Sequence, residues 1–308
     1  MLKEIELAHT QGFCAGVAMA IEVVEKALEK YGTPLYVRHH IVHNTSVIAD
    51  FERRGVIFIE ELQDVPEGAP VVFSAHGSAP DVFEQAKIRN LSYIDASCPL
   101  VTKVHRQAKR FSERGVQTVL IGHKGHQELI GTSGYVRPDL LHVIEDEHDV
   151  DQLEVRPDQP VGFLTQTTLS VSDTSAMVDK LKQKFPNILG ASKADICYAT
   201  QNRQDAVLEL SERCDVIIIC GSPQSSNSNR LKETAAKQGV PSYIIDTSDE
   251  LQFSWIDHAG RVGISSGASV PRYVVDQLVA KIQSRYPEVT VTQKDSIEHG
   301  IHFKLPVI

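Results

Sequence analysis

The feature that most restricts the fold is a unit that recurs along the 308-residue chain: an apolar strand, a short polar junction, then an amphipathic helix. A repeat of this kind decides architecture before any single element does. In one series the junction carries a cysteine. Leu7–Thr10 leads to Gly12-Phe13-Cys14, Tyr93–Asp95 to Ser97-Cys98-Pro99, and Asp195-Ile196 to Cys197-Tyr198. The segments that follow place apolar residues three and four apart: Val17, Ile21, Val24 and Leu28, then Val101, Val104, Ala108 and Phe111, then Ala206, Val207 and Leu210. That spacing is helical.

Two further series have polar junctions. Leu35–Val37 leads to His43-Asn44, Val119–Ile121 to Gly125-His126-Gln127-Glu128, and Val216–Ile219 to Ser225-Ser226-Asn227-Ser228-Asn229. Val71–Phe73 leads to Ala75-His76-Gly77, Val161–Leu164 to Thr165-Gln166-Thr167-Thr168, and Val262–Ile264 to Ser266-Gly267-Ala268-Ser269. The offsets agree. Cys14, Cys98 and Cys197 lie 84 and 99 residues apart, and His43, His126 and Ser225 lie 83 and 99 apart. His76, Thr167 and Ser269 lie 91 and 102 apart.

Strands alternating with helices predict α/β domains with small, mainly parallel sheets. We expect three of them, related by pseudo-threefold symmetry around a central cavity: 15–97, 98–194, and 1–14 joined with 195–286. The first strand precedes Cys14 and is assigned to the third domain for that reason. The tail, 287–308, breaks the pattern. Val289–Val291 and Ile301–Phe303 alternate like short strands, and the tail is expected to clasp another domain. In parallel α/β units ligands bind beyond the carboxyl ends of the strands, where all nine junctions fall.

Charge narrows the function. With 31 Lys and Arg against 40 Asp and Glu the net charge is −9. This argues against a nucleic-acid partner, and an anionic ligand has to be met by local donors rather than a global field. No stretch approaches the roughly 18 apolar residues of a membrane helix. The opening residues lack the apolar core of a signal peptide, so a cytoplasmic location without a membrane partner is expected. The five cysteines form no compact disulfide framework.

Cys14, Cys98 and Cys197 each stand just before a helix, where the dipole favours thiolate over thiol. Three thiolates converging on an axis suit a cuboidal iron–sulfur cluster with one iron left open to substrate. Zinc is disfavoured because no Cys-x-x-Cys pair exists. Cys214 and Cys220, at a helix end and in an apolar strand, read as structural. His43, His76, His126, Ser225, Ser226, Asn227 and Ser269 are donors at helix starts, a composition that cradles phosphate. A lone histidine of this kind is ordinarily filler, and Ser-Ser-Asn-Ser-Asn also reads as a helix cap; the repeat alignment is what selects these residues. Glu128, flanked by His126 and facing Thr167, is the one junction carboxylate and a candidate proton relay. No P-loop and no Gly-x-Gly-x-x-Gly turn is present.

The ordered segments Gly12-Phe13-Cys14-Ala15-Gly16-Val17, Ser74-Ala75-His76-Gly77, Cys98-Pro99-Leu100-Val101-Thr102-Lys103, Thr165-Gln166-Thr167-Thr168-Leu169-Ser170, Cys197-Tyr198-Ala199-Thr200 and Ser225-Ser226-Asn227-Ser228-Asn229-Arg230 carry a resemblance. Over nearly its whole length the chain resembles the 4-hydroxy-3-methylbut-2-enyl diphosphate reductase family, the LytB proteins. The resemblance implies one 4Fe-4S cluster per chain on Cys14, Cys98 and Cys197. It implies diphosphate binding by His43, His76, His126, Ser225, Ser226, Asn227 and Ser269. It puts Glu128 and Thr167 at the substrate hydroxyl, with Glu128 the proton source and His126 beside it. Electrons would come singly from ferredoxin or flavodoxin, and the products would be isopentenyl and dimethylallyl diphosphate, closing the non-mevalonate isoprenoid pathway. The chain departs from the family pattern at Gln127, usually Pro, at Gln11, often Arg, and at Ala18-Met19, often Asp-Arg. None of these removes a predicted ligand. Quinolinate synthase, another three-cysteine α/β enzyme, lacks the Ser-x-Asn motif. A non-enzymatic phosphometabolite-binding protein is the other alternative, and bound iron would exclude it.

Overall fold

The computed structural model describes residues 2–190, 195–298 and 300–308; the expected boundary at residue 194 lies outside them. Strands are β1 (Glu4–Leu7), β2 (Leu35–Arg38), β3 (Val56–Ile59), β4 (Pro70–Phe73), β5 (Ser92–Asp95), β6 (Gln117–Ile121), β7 (Leu141–Ile144), β8 (Val161–Thr165), β9 (Val216–Cys220), β10 (Ser242–Ile245), β11 (Arg261–Ser266) and β12 (Thr290–Gln293). The helices are α1 (Ala15–Tyr31), α2 (Thr45–Arg53), α3 (Pro80–Ile88), α4 (Pro99–Glu113), α5 (Gln127–Ser133), α6 (Glu147–Gln152), α7 (Val171–Lys184), α8 (Tyr198–Ser211), α9 (Ser226–Lys237) and α10 (Arg272–Arg285).

These strands form three sheets, ordered β10-β9-β11-β1-β12, β3-β2-β4-β5 and β7-β6-β8. Every pairing is parallel. Parallel sheets are covered on both faces, so their strands read as continuous apolar runs. In β9 the alternation of side chains sends Val216, Ile218 and Cys220 to one core and Ile217 and Ile219 to the other. In β6, Val119 and Ile121 join the core under α7, while Leu120 joins Val104, Phe111 and Leu164. Burying each such side chain contributes roughly 1.5–3 kcal/mol.

The sheets share one order. A central strand (β2, β6, β9) is flanked by β3, β7 or β10 on one side and by β4, β8 or β11 on the other. Next to β4 lies β5, which runs toward Cys98; next to β11 lies β1, which runs toward Cys14. In the smallest sheet the equivalent place beside β8 holds a single parallel bridge, Gly162 to Leu189. The strand expected at Asp195-Ile196 does not form. Gly190 instead lies so close against the Phe163 ring that an added Cβ would come within 2.2 Å of it.

The chain divides into two compact units. One comprises Met1–Ala18, His43–Asp50 and Tyr198–His302, and holds the five-stranded sheet. The other comprises Met19–Val42, Phe51–Cys197 and Phe303–Ile308, and holds the other two. Within the first unit, β1 lies between β11 and β12, with Ile5 opposite both Val262 and Val291. The first part of the tail thus extends the sheet that contains β1. Ile301–Phe303 forms no strand. The last residues belong to the second unit, where Lys30 Nζ donates to the Ile308 carbonyl oxygen.

Candidate functional site

The second unit contains His76, Cys98, His126, Glu128, Thr167 and Cys197. Each follows a strand end or starts a helix, and hydrogen bonds join His126, Glu128, Thr167 and Cys197. After β4 the chain turns through Gly77, whose φ of 82° is left-handed and suits glycine. Ser74 Oγ lies 3.3 Å from His76 Nδ1. Cys98 caps α4 with Pro99 at the first helical position, and its N–H donates to the Ala75 carbonyl at 3.0 Å. The His76 and His126 rings meet edge to face, centroids 6.0 Å apart. His126 caps α5, accepting from Glu128 N–H at Nδ1 over 3.2 Å.

Glu128 is 3% exposed. Thr167 serves both its oxygens: the backbone N–H donates to Oε1 at 2.7 Å and the hydroxyl to Oε2 at 3.0 Å. Burial pushes the Glu128 carboxyl up from 4.5 to about 7; the two Thr167 bonds pull it down, and nearby Asp195 adds to the rise. The Thr167 carbonyl in turn accepts from Cys197 N–H at 3.0 Å. Gln166, which the sequence did not single out, is the brace of this network. It is buried, takes the His123 N–H on Oε1 at 3.1 Å and donates from Nε2 to Thr168 Oγ1 at 2.9 Å.

The first unit contains Cys14, His43, Ser225, Ser226, Asn227 and Ser269. Gly12 N–H donates to Ser266 Oγ at 2.8 Å, and Cys14 N–H to the Ala268 carbonyl at 3.1 Å. At the start of α1, Val17 N–H donates to Cys14 Sγ over 3.5 Å. Ser269 Oγ donates to the His43 carbonyl at 2.9 Å. Ser225 caps α9 by accepting from Ser228 N–H at 3.3 Å. An added Cβ on Gly221 or Gly267 would sit 2.2 Å from Ser228 Oγ, so the start of α9 rests directly on the ends of β9 and β11. Both amide atoms of Asn227 and the Ser228 hydroxyl are buried without a partner. Buried polar groups are nearly always satisfied, so this set of orphans marks a place that a polar ligand completes.

The cysteines divide by environment. Cys14, Cys98 and Cys197 are half-buried at helix starts, whereas burial pushes the Cys214 and Cys220 thiols up to about 12. Half-buried thiols at helix N-termini fit the donor chemistry of an iron–sulfur group; the two raised thiols do not. Among the described residues no set of three His, Cys, Asp or Glu is gathered as a metal-ion site, so the fit rests on each donor's own surroundings.

The family model described as LytB protein matches residues 5–283. The chain belongs to the LytB protein family. LytB relatives include the 4-hydroxy-3-methylbut-2-enyl diphosphate reductase of Pseudomonas entomophila, 47% identical over 306 residues (98% of this chain, 97% of the relative). The Pseudomonas putida protein of the same name is 51% identical over 284 residues, 90% of each chain. Among solved structures, the E-1-hydroxy-2-methyl-but-2-enyl-4-diphosphate reductase of Plasmodium falciparum superposes with a TM-score of 0.93 at 38% identity, covering 99% of this chain and 95% of that one. LytB membership makes the chain an oxidoreductase and implies an iron–sulfur cofactor. No helix among the described residues is long and apolar enough to cross a membrane.

Proposed function

We propose that this LytB protein acts in the cytoplasm and reductively removes the hydroxyl group of (E)-4-hydroxy-3-methylbut-2-enyl diphosphate, yielding isopentenyl and dimethylallyl diphosphate. The observation that carries the reading is Glu128: a buried carboxyl, held by two Thr167 donors and poised near neutrality, in one hydrogen-bonded network with the helix-start cysteine Cys197. The reaction takes up two electrons and two protons and releases water. Cys14, Cys98 and Cys197 would hold a 4Fe-4S cluster, which supplies single electrons and one iron open to the substrate when bound. Ferredoxin or flavodoxin would deliver the electrons.

The chain's own groups supply the rest. A carboxyl with a pKa near 7 gives up a proton readily at neutral pH and regains it before the next turnover. Delivered to the leaving oxygen, that proton lets water depart rather than hydroxide. Thr167, bonded to both Glu128 oxygens through N–H and hydroxyl, holds the acid in one orientation. Its hydroxyl is itself a partner for the substrate oxygen. The carbon protonated last decides which product forms. His43, His76, His126, Ser225, Ser226, Asn227 and Ser269 are neutral or titratable donors suited to a diphosphate. Charge-assisted bonds of this type contribute about 1.5–3 kcal/mol each.

Protein prepared without air tests the reading. It is expected to carry about four irons per chain and to consume the hydroxylated diphosphate with a chemical reductant, releasing both five-carbon products. Iron-loaded protein that leaves that substrate untouched would sink the proposal.

A further inference from the structure

Arg203 is fully buried on α8 and joins three segments of the first unit. Its Nη2 donates to the Gly12 carbonyl at 2.8 Å, two residues before Cys14. Its Nη1 donates to the Ala199 carbonyl at 2.9 Å, in the first turn of the helix that follows Cys197 in sequence. The same Nη1 lies 3.0 and 3.1 Å from the two carboxylate oxygens of Glu298, which also accepts from Asn202 Nδ2 at 3.1 Å. Glu298 comes from the segment after β12, and its side chain is 11% exposed. Packing does not ask for this pair. A buried ion pair is often no more stabilising than apolar residues of the same volume, and the other buried residues of α8, Ala199, Thr200, Gln204, Ala206, Val207 and Leu210, carry no charge. What an apolar residue cannot do is hold the Gly12 carbonyl from a planar fork while placing a balanced charge pair beside the Cys14 loop.

We propose that Arg203, neutralised by Glu298, is a positioning residue for the Cys14 loop and sets the electrostatic surroundings of the iron–sulfur group that Cys14 would ligate. This rests on the iron–sulfur reading above. Charge matters here because the pair is sequestered from water, where a nearby unit charge acts at low effective dielectric. An unbalanced cation favours the reduced, more negative form of the group, and an unbalanced anion favours the oxidised form. Glu298→Gln keeps an acceptor for the guanidinium and removes the negative charge, so the midpoint potential rises. Arg203→Met leaves the carboxylate without its cation, so the potential falls. The double variant Arg203→Met/Glu298→Gln returns close to the starting value. A role confined to packing does not give opposite signs that cancel.

The experiment is a spectroscopically monitored redox titration of anaerobic holoenzyme for the wild type, the two single variants and the double variant. Iron loss to a chelator is timed in parallel. Besides the three shifts above, Arg203→Met should release iron roughly tenfold faster or more, as outer-sphere changes commonly do. Single variants that titrate at the wild-type potential, or that both move the same way, overturn the inference. If Arg203→Met does not fold, Glu298→Gln and the double variant still report the sign and the cancellation. A wild-type chain that takes up no iron fails the functional reading itself. Iron-loaded wild type with unshifted variants fails only this inference.

Discussion

Glu128 near the start of α5 and Asn227 near the start of α9 occupy equivalent junctions of two repeats, yet they satisfy their polar atoms in opposite ways. Both Glu128 oxygens are filled from within by Thr167, whereas both Asn227 amide atoms are buried with no partner. The first arrangement has both oxygens met by the protein itself, as suits a group proposed to move a proton. In the second, a ligand acceptor can meet Nδ2, while Oδ1 calls for a donor. On the function proposed above, one repeat unit serves two ends, proton handling in one copy and ligand capture in another, with the strand end and helix start kept the same.

The sharpest way to break this contrast is Glu128→Gln. It is expected to cut turnover at least about a hundredfold, the scale of general-acid contributions, while KM for the diphosphate changes little. Steady-state kinetics with a chemical reductant decide this, and unchanged turnover would remove Glu128 from proton delivery. Asn227→Ala should act the other way. Losing a donor to a charged ligand costs roughly ten- to a hundredfold in kcat/KM, carried mainly by KM. Because the asparagine amide has no partner within the protein, its removal should leave the ligand-free Tm unchanged or higher. A marked fall in that Tm would show that Asn227 is structural.

The pH profile sharpens the same comparison. With its carboxyl raised to about 7, Glu128 is the protonated acid below that pH, so turnover should be level on the acid side and decline as pH rises through about 7. Thr167→Val keeps the backbone donor but deletes the hydroxyl that favours the ionised form, so the decline should move to higher pH. A decline that stays in place would mean that another group limits the rate. The smallest effect is expected at the buried cysteines. Cys214→Ser and Cys220→Ala should keep their iron, whereas Cys98→Ser should lose it. Iron analysis of anaerobic protein distinguishes the two classes.

Much of the architecture was legible because it is repeated. Strand periodicity and the matched offsets of Cys14, Cys98 and Cys197 foretold three small parallel sheets, and the pairing of β1 with β11 follows from the same logic. Two expected strands do not form. Asp195-Ile196 looks like β5 before its cysteine, but the neighbouring place beside β8 is filled by Leu189, whose bridge depends on Gly190 fitting against Phe163. Ile301–Phe303 alternates like a strand and forms none, since alternation specifies a strand only where an edge is at hand. Arg203 leaves a faint trace in the sequence: it is the one charged residue on the buried face of α8, beside Ala199, Thr200, Gln204, Ala206, Val207 and Leu210. Its partner Glu298, 95 residues away, could be found only in three dimensions. Gln166 left none, because an amide in a polar turn has no distinguishing pattern.

The place of β1 also fixes when the segment before Cys14 can settle. Its neighbours on both sides, β11 and β12, come from the far end of the chain, so the segment leading to Cys14 has no sheet to join until residues past 260 have been made. At roughly 5–20 residues per second on the ribosome, that is a wait of some tens of seconds. The sheet leading to Cys98 has all four strands by residue 95. Cys14, made before Cys98, is therefore fixed after it, and a nascent chain interrupted before β11 cannot seat the strand that precedes Cys14.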